Sequence, residues 1–176
     1  MSQTRSSQPF VAVLMGSDSD LPVMQSAVEV LDLFGVPREV RITSAHRTPA
    51  ATQAYVRDAE ARGCAVFIAA AGLAAHLAGA VAAHTVKPVI GVPLDAGPLS
   101  GMDALLSTVQ MPAGVPVACV AIGKTGARNA AWLAVQILAL SDPALAARLR
   151  EEREKNAQAV IERDARLQEE LARPRA

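Results

Sequence analysis

The run Phe10-Val-Ala-Val-Leu-Met15 constrains this chain more than any other stretch. Six apolar residues without alternation do not suit a strand with one wet face. They suit a strand buried on both faces, as in a parallel sheet covered by helices. The run ends in Gly16-Ser17-Asp18-Ser19-Asp20; Met24, Ala27, Val28 and Leu31 then recur at helical spacing until Gly35 and Pro37 stop the pattern. The same order repeats down the chain. Val40–Thr43 alternates as an edge strand does, and Thr48 with Pro49 reads as the N-cap and first-turn proline of a second helix closing at Gly63. Ala65–Ala70, Val89–Val92 and Val117–Ile122 read as further strands, and Ala75–Ala83, Met102–Gln110 and Ala127–Leu140 as helices. The pattern predicts an α/β protein: a three-layer α/β/α sandwich of the flavodoxin-like or Rossmann-like kind, with a central parallel sheet of five strands and right-handed crossovers.

Charge divides the chain. Residues 143–176 hold 15 of the 34 charged side chains, 8 basic and 7 acidic. There Leu145, Leu149, Val160, Leu167 and Leu171 fall near multiples of 3.6, so a C-terminal helical extension over 142–176 is expected, lying on a neighbouring subunit. The body, 10–141, is correspondingly apolar and needs cover on both sheet faces or from an oligomer; residues 1–9 are expected to form a flexible tail. With 51% hydrophobic residues the chain is not disordered. A net charge of zero and 3% aromatic residues give neither the basic footprint nor the stacking platforms of a nucleic-acid binder. Gly63 to Val86 is uncharged and long enough to span a membrane, yet its glycines, alanines, His76 and His84 suit a strand, a tight turn and a small-residue helix. Met1–Pro9 does not read as a signal peptide, so a cytoplasmic protein without membrane contact is expected. Cys64 and Cys119 lie in apolar runs and read as buried free thiols.

In such a sheet ligands bind beyond the carboxyl ends of the strands. After the first strand, Gly16 allows close backbone approach, Ser17 and Ser19 offer hydroxyls, and a helix start favours an anion; a simple capped turn with Asp18 and Asp20 accounts for the same residues. After the second strand, His46 places a group that titrates near neutrality beside the fixed cation of Arg47. After the third, small residues around Gly72 can turn backbone N–H groups toward a carboxylate, or merely pack closely, with His76 as a second contact or a turn residue. The long connection 93–101 reads as a lid or interface element. Gly123-Lys124-Thr125 lacks the earlier glycine of a phosphate-binding loop, since Ala118 stands there, and His84 reads as structural or interfacial.

Taken in order, Met15-Gly-Ser-Asp-Ser-Asp20, Ser44-Ala-His-Arg-Thr-Pro49, Ala74-Ala-His-Leu77, Gly91-Val-Pro93, Leu99-Ser-Gly101, Ser107-Thr-Val-Gln-Met-Pro112 and Ala121-Ile-Gly-Lys124 resemble the class I PurE family, the N5-carboxyaminoimidazole ribonucleotide mutases of purine biosynthesis. The resemblance implies moving a carboxylate from the exocyclic nitrogen to ring carbon 4 of the aminoimidazole ribonucleotide, without ATP, metal or organic cofactor. It implies His46 as general acid and base, and Gly16, Ser17, Asp18, Asp20, Ser44, Ala45 and Arg47 around the nucleotide. Within that set Ser17 and Ser44 match phosphate contacts, Arg47 a phosphate or charge-balancing contact and Asp20 a ribose contact. Gly72, Leu73, Ala74, Ala75, His76 and Leu77 match the loop that encloses the carboxylate. A homo-octamer with sites between subunits is implied as well. The chain departs from the family pattern at Leu73, Ala78 and Ala80, where glycine, proline and methionine are usual. A leucine at a positive φ costs about 1–2 kcal/mol. The alternatives are direct carboxylation of aminoimidazole ribonucleotide, as in class II, and carboxylation of another heterocycle in the same pocket. A receiver-like signalling domain is disfavoured because the third strand ends in Ala69-Ala-Ala71, without an acceptor aspartate.

Overall fold

The computed structural model describes residues 8–173. The tail expected over 1–9 therefore lies, Gln8 and Pro9 apart, outside the described residues. Five parallel strands form one sheet: β1 (Phe10–Met15), β2 (Arg38–Ile42), β3 (Cys64–Ala71), β4 (Val89–Pro93) and β5 (Ala118–Cys119), in spatial order β2-β1-β3-β4-β5. Helices α1 (Leu21–Leu33), α2 (Pro49–Ala61), α3 (Leu77–Ala82), α4 (Met102–Val109), α5 (Gly123–Ala139) and α6 (Pro143–Ala172) complete the chain. The helices covering the sheet lie on both of its faces, giving the expected flavodoxin-like sandwich. The chain divides into two compact units, Met1–Ile137 and Leu138–Ala176.

Sheet burial follows from the apolar runs. All six residues of β1 are buried, as are all five of β4. On one side of the sheet Ala12, Leu14, Phe67 and Ala69 join Val56, Ala59, Leu77 and Val81 in a single cluster. Each fully buried side chain of Leu or Phe size contributes about 1.5–3 kcal/mol. In the same unit Phe34, just after α1, meets Trp132 of α5 edge to face, with ring centroids 5.0 Å apart. Strand β2 is the edge, as its alternation implied, yet Val40 and Ile42 remain 40% and 60% exposed.

Several boundaries differ from the sequence reading, each for a physical reason. The fifth strand is two residues long rather than spanning Val117–Ile122: it pairs only Ala118 with Ile90 and Cys119 with Gly91, and one further bond runs from Val120 N–H to the Gly91 carbonyl. The chain then turns into α5 at Gly123, four residues before the expected start. Its first turn folds back on the Ala121 carbonyl so closely that a Cβ at Gly126 would lie 1.6 Å from that oxygen. Glycines there serve close packing and read misleadingly as loop. Helix α3 starts at Leu77 rather than Ala75, because residues 72–76 form a loop. Thr48 occupies the N-cap of α2, but its hydroxyl makes no cap bond. It instead donates to the Ser44 carbonyl and accepts from the Ser44 N–H. Cys64 is buried and free, with burial pushing its thiol up to about 11; Cys119 is free but only half-buried.

Helix α6 is capped by Asp142, whose side chain accepts from Leu145 N–H at 3.0 Å, and Pro143 opens its first turn. Leu145 and Leu149 are buried, whereas Val160, Ile161, Leu167 and Leu171 are exposed. Among the described residues no helix is long and apolar enough to cross a membrane.

Candidate active site

Leaving β1, the chain first extends the sheet to one side through β2 and then to the other through β3, so the crossovers diverge and leave a crevice at the carboxyl ends of β1 and β3. A cavity of about 390 Å³ opens there, within the range of small-molecule sites. Four strand ends line it.

The loop after β1 is locally satisfied. Ser17 Oγ accepts from Ser19 N–H at 3.3 Å and from Ser19 Oγ at 2.9 Å, while Asp20 Oδ2 accepts from Ser17 N–H at 3.0 Å, a reciprocal cap around the 3-10 turn Asp18–Asp20. Burial pushes the Asp20 carboxyl above its ordinary value, against the lowering effect of the Ser17 and Gly16 N–H groups. In the loop after β2, Ser44 Oγ accepts from Arg47 N–H at 3.1 Å. The Arg47 guanidinium reaches across to donate to the Gly16 carbonyl at 3.3 Å. Beneath this loop the buried hydroxyls of Thr43 and Thr52 pair at 2.6 Å. One side of the crevice thus gathers three serine hydroxyls and a fixed cation, a set suited to a phosphate.

The loops after β3 and β4 are of another character. Leu73 has φ 54°, a left-handed conformation that costs a leucine about 1–2 kcal/mol. Its Cδ2 would lie 2.7 Å from a Cβ at Gly97, which itself has φ +85°, and a Cβ at Gly72 would lie 2.6 Å from that of Ala96. The two loops are therefore fitted to each other residue by residue. Ala71, Leu73, Ala74, Leu77 and Ala96 give this side an apolar lining.

His46 and His76 bridge the two sides. Strands β2 and β3 flank β1, so these histidines meet over the end of β1, Nε2 of His46 lying 2.8 Å from Nδ1 of His76 with the rings nearly perpendicular. Such a bond needs one protonated and one bare nitrogen, so the two rings share one proton.

Of the residues singled out in the sequence, Gly16, Ser17, Asp20, Ser44, Ala45, His46, Arg47, Gly72, Leu73, His76 and Leu77 line this cavity. Asp18 and Ala75 do not: the Asp18 carboxylate turns to Ser17 and Ser19, and Ala75 is buried behind the loop with its carbonyl toward Thr108. Ser19, whose hydroxyl the sequence offered, and Ala74, within the Gly72–Leu77 loop, line it too. Sequence reasoning missed Thr43, Ala71 and Ala96 as lining residues; Ala96 lay in the connection read as a lid. Among the described residues no three His, Cys, Asp or Glu side chains gather as a metal site.

The whole chain resembles known proteins. A profile of the family described as AIR carboxylase matches residues 10–159. The chain is 55% identical over 161 residues to the N5-carboxyaminoimidazole ribonucleotide mutase of Mycobacterium tuberculosis, covering 92% of this chain and 91% of that protein. It is 52% identical over 160 residues to the mutase of the same name from Bacillus subtilis, covering 91% and 99%. Among solved structures, Treponema denticola PurE superposes with a TM-score of 0.82 at 32% identity, over 90% of this chain and 98% of that one.

Proposed function

The chain belongs to the AIR carboxylase family, and from that premise we propose that it converts N5-carboxyaminoimidazole ribonucleotide to 4-carboxy-5-aminoimidazole ribonucleotide in purine biosynthesis. Its relatives carrying the mutase name are 50–56% identical over nearly its whole length, which favours this isomerisation over direct carboxylation. The observation that carries the site assignment is the His46–His76 pair, set between a hydroxyl-and-arginine side and an apolar side of one cavity.

In this reading the ribose phosphate sits against Ser17, Ser44 and Arg47, with Asp20 accepting from a ribose hydroxyl and the heterocycle beside His46. As the carbamate C–N bond breaks, its electron pair stays on nitrogen, which takes the proton from His46, and carbon dioxide is released into the apolar side. Ring carbon 4, made electron-rich by the amino group, attacks that carbon dioxide. The carbon 4 proton then returns to His46, and ring aromaticity is restored. His76 orients the His46 ring through the Nε2–Nδ1 bond. Proton transfer of this kind contributes about 10²- to 10⁴-fold; the remainder comes from holding the two fragments in place. The reaction so written draws on no ATP, metal or organic cofactor.

The protein acts in the cytoplasm as a homo-octamer. The exposed Val40, Ile42, Leu99, Met102, Leu106 and Val109 support contact with other copies of the chain. Helix α6 lies on a neighbouring subunit.

The test is conversion of synthetic N5-carboxyaminoimidazole ribonucleotide without ATP or metal, followed by ultraviolet absorbance, beside His46→Asn and a control of aminoimidazole ribonucleotide with bicarbonate. Conversion lost in the variant is expected. Product formed only in the control overturns the mutase reading in favour of direct carboxylation.

A further inference from the structure

On the hydroxyl side of the cavity, donors of the loop after β1 are already in use. The Ser17 hydroxyl donates to Asp18 Oδ1 at 3.1 Å, and the same carboxylate oxygen accepts from Ser19 N–H at 3.1 Å. The Ser19 hydroxyl donates in turn to Ser17 Oγ at 2.9 Å. Ser17 and Ser19 line the cavity, whereas Asp18 stands exposed beside them and outside the lining. A carboxylate thus holds donors of the kind a phosphate oxygen takes, and draws them toward itself. These bonds lie open to water, so each exchanges readily for another acceptor. The Asp18 charge also reaches the cavity: the Asp20 carboxyl, which lines it, is raised first by burial and in smallest part by Asp18.

Resting on the reading that sets the ribose phosphate against Ser17, Ser44 and Arg47, we propose that Asp18 is an internal competitor of that phosphate, an autoinhibitory carboxylate that sets how tightly the nucleotide is held. A phosphate monoester carries a charge of about −1.5 to −2 near neutral pH. To engage the Ser17 hydroxyl it must take it from Asp18, and it does so against the repulsion of a like charge. Arg47 supplies the attraction that offsets this. Substrate and product of the isomerisation carry the same phosphate, so Asp18 weakens the hold on both. It acts on binding and release, and leaves the proton transfers of His46 alone.

The experiment measures by calorimetry the binding of aminoimidazole ribonucleotide, and of its nucleoside lacking the phosphate, to the full chain at low and at high salt. Asp18→Asn keeps an oxygen that accepts from Ser17 and Ser19 but removes the charge; Asp18→Ala removes both. Glu29→Gln, at an exposed position of α1 outside the lining, makes the same change in net charge. Asp18→Asn is expected to tighten the nucleotide about threefold to tenfold at low salt and to lower KM for the carbamate in proportion. The gain should shrink at high salt, and Asp18→Ala should act in the same direction. Nucleoside binding by both variants, and all binding by Glu29→Gln, should stay within about twofold of wild type. Asn and Ala variants that melt like wild type yet bind the nucleotide no more tightly overturn the proposal, as does equal tightening of the nucleoside. A wild type that binds nucleotide and nucleoside equally would instead overturn the phosphate placement, and one that fails to convert the carbamate the mutase reading beneath it.

Discussion

The loop after β1 and the loop after β3 face each other across one cavity and are built on opposite principles. Between Gly16 and Asp20 each residue suits its place: serine and aspartate are the best caps, and their side chains bond to the turn's own backbone. Between Gly72 and His76 the backbone goes against its sequence, with leucine at φ 54° held by packing on a different loop. The first loop is organised by its own residues, the Ser17 hydroxyl donating to Asp18 and the Ser19 hydroxyl to Ser17. The second is organised by tertiary contact, with the strain at Leu73 held by packing against Gly97. Local consistency holds in one loop and local conflict in the other.

The largest expected effect comes from cutting the link between the two sides. His46→Asn should lower kcat by roughly 10²- to 10⁴-fold, while leaving the melting temperature nearly unchanged, because the side chain is exposed. Next come the glycines that fit the second loop to its neighbour. Gly97→Ala places a Cβ against Leu73 and forces a positive φ on alanine, and should destabilise by about 1–3 kcal/mol in denaturant unfolding. In a Leu73→Gly background the steric part disappears, so the loss should shrink by at least about 0.5 kcal/mol in a double-mutant cycle. The two loops should then respond with opposite signs to removal of a side chain. Ser17→Ala removes a cap and should cost about 1 kcal/mol. Leu73→Gly relieves strain and should gain up to about 1 kcal/mol, the gain being trimmed by the greater freedom of glycine when unfolded. Loss of stability in both would break the comparison.

The smallest effect lies away from the site and serves as its control. The Arg62 guanidinium, and after it the Tyr55 hydroxyl, hold the Glu39 carboxyl below its ordinary value of 4.5. A depressed carboxyl stabilises above its unfolded value and loses that contribution as pH falls through its folded one. Glu39→Gln should therefore lower the melting temperature slightly at pH 7. The gap to wild type should close as the pH drops below about 4.5, with no change in turnover. A gap that widens in acid would contradict the assignment.

Much of this was legible in the chain. The unbroken Phe10–Met15 run foretold a strand buried on both faces, the strand-end rule foretold where the loops converge, and Leu73 stood out as a leucine where a glycine-like backbone was wanted. What escaped was whatever depended on contacts distant in sequence. Ala96 carries no chemical signal of its own and enters the cavity only because β4 lies beside β3. Gly126 reads as a breaker until the Ala121 carbonyl is found against it. Asp18 looks like a ligand contact, yet its turn already occupies it, a competition that residue type alone does not settle.

The contact between Leu73 and Gly97 also limits how this protein can change over generations. Any lineage that gains a side chain at position 97 while keeping leucine at 73 bears both a steric clash and the strain of φ +85°, whereas a lineage that first exchanges Leu73 for glycine leaves only the strain. The two sites are therefore expected to change in a set order, and a sequence survey should find bulk at one accompanied by glycine at the other.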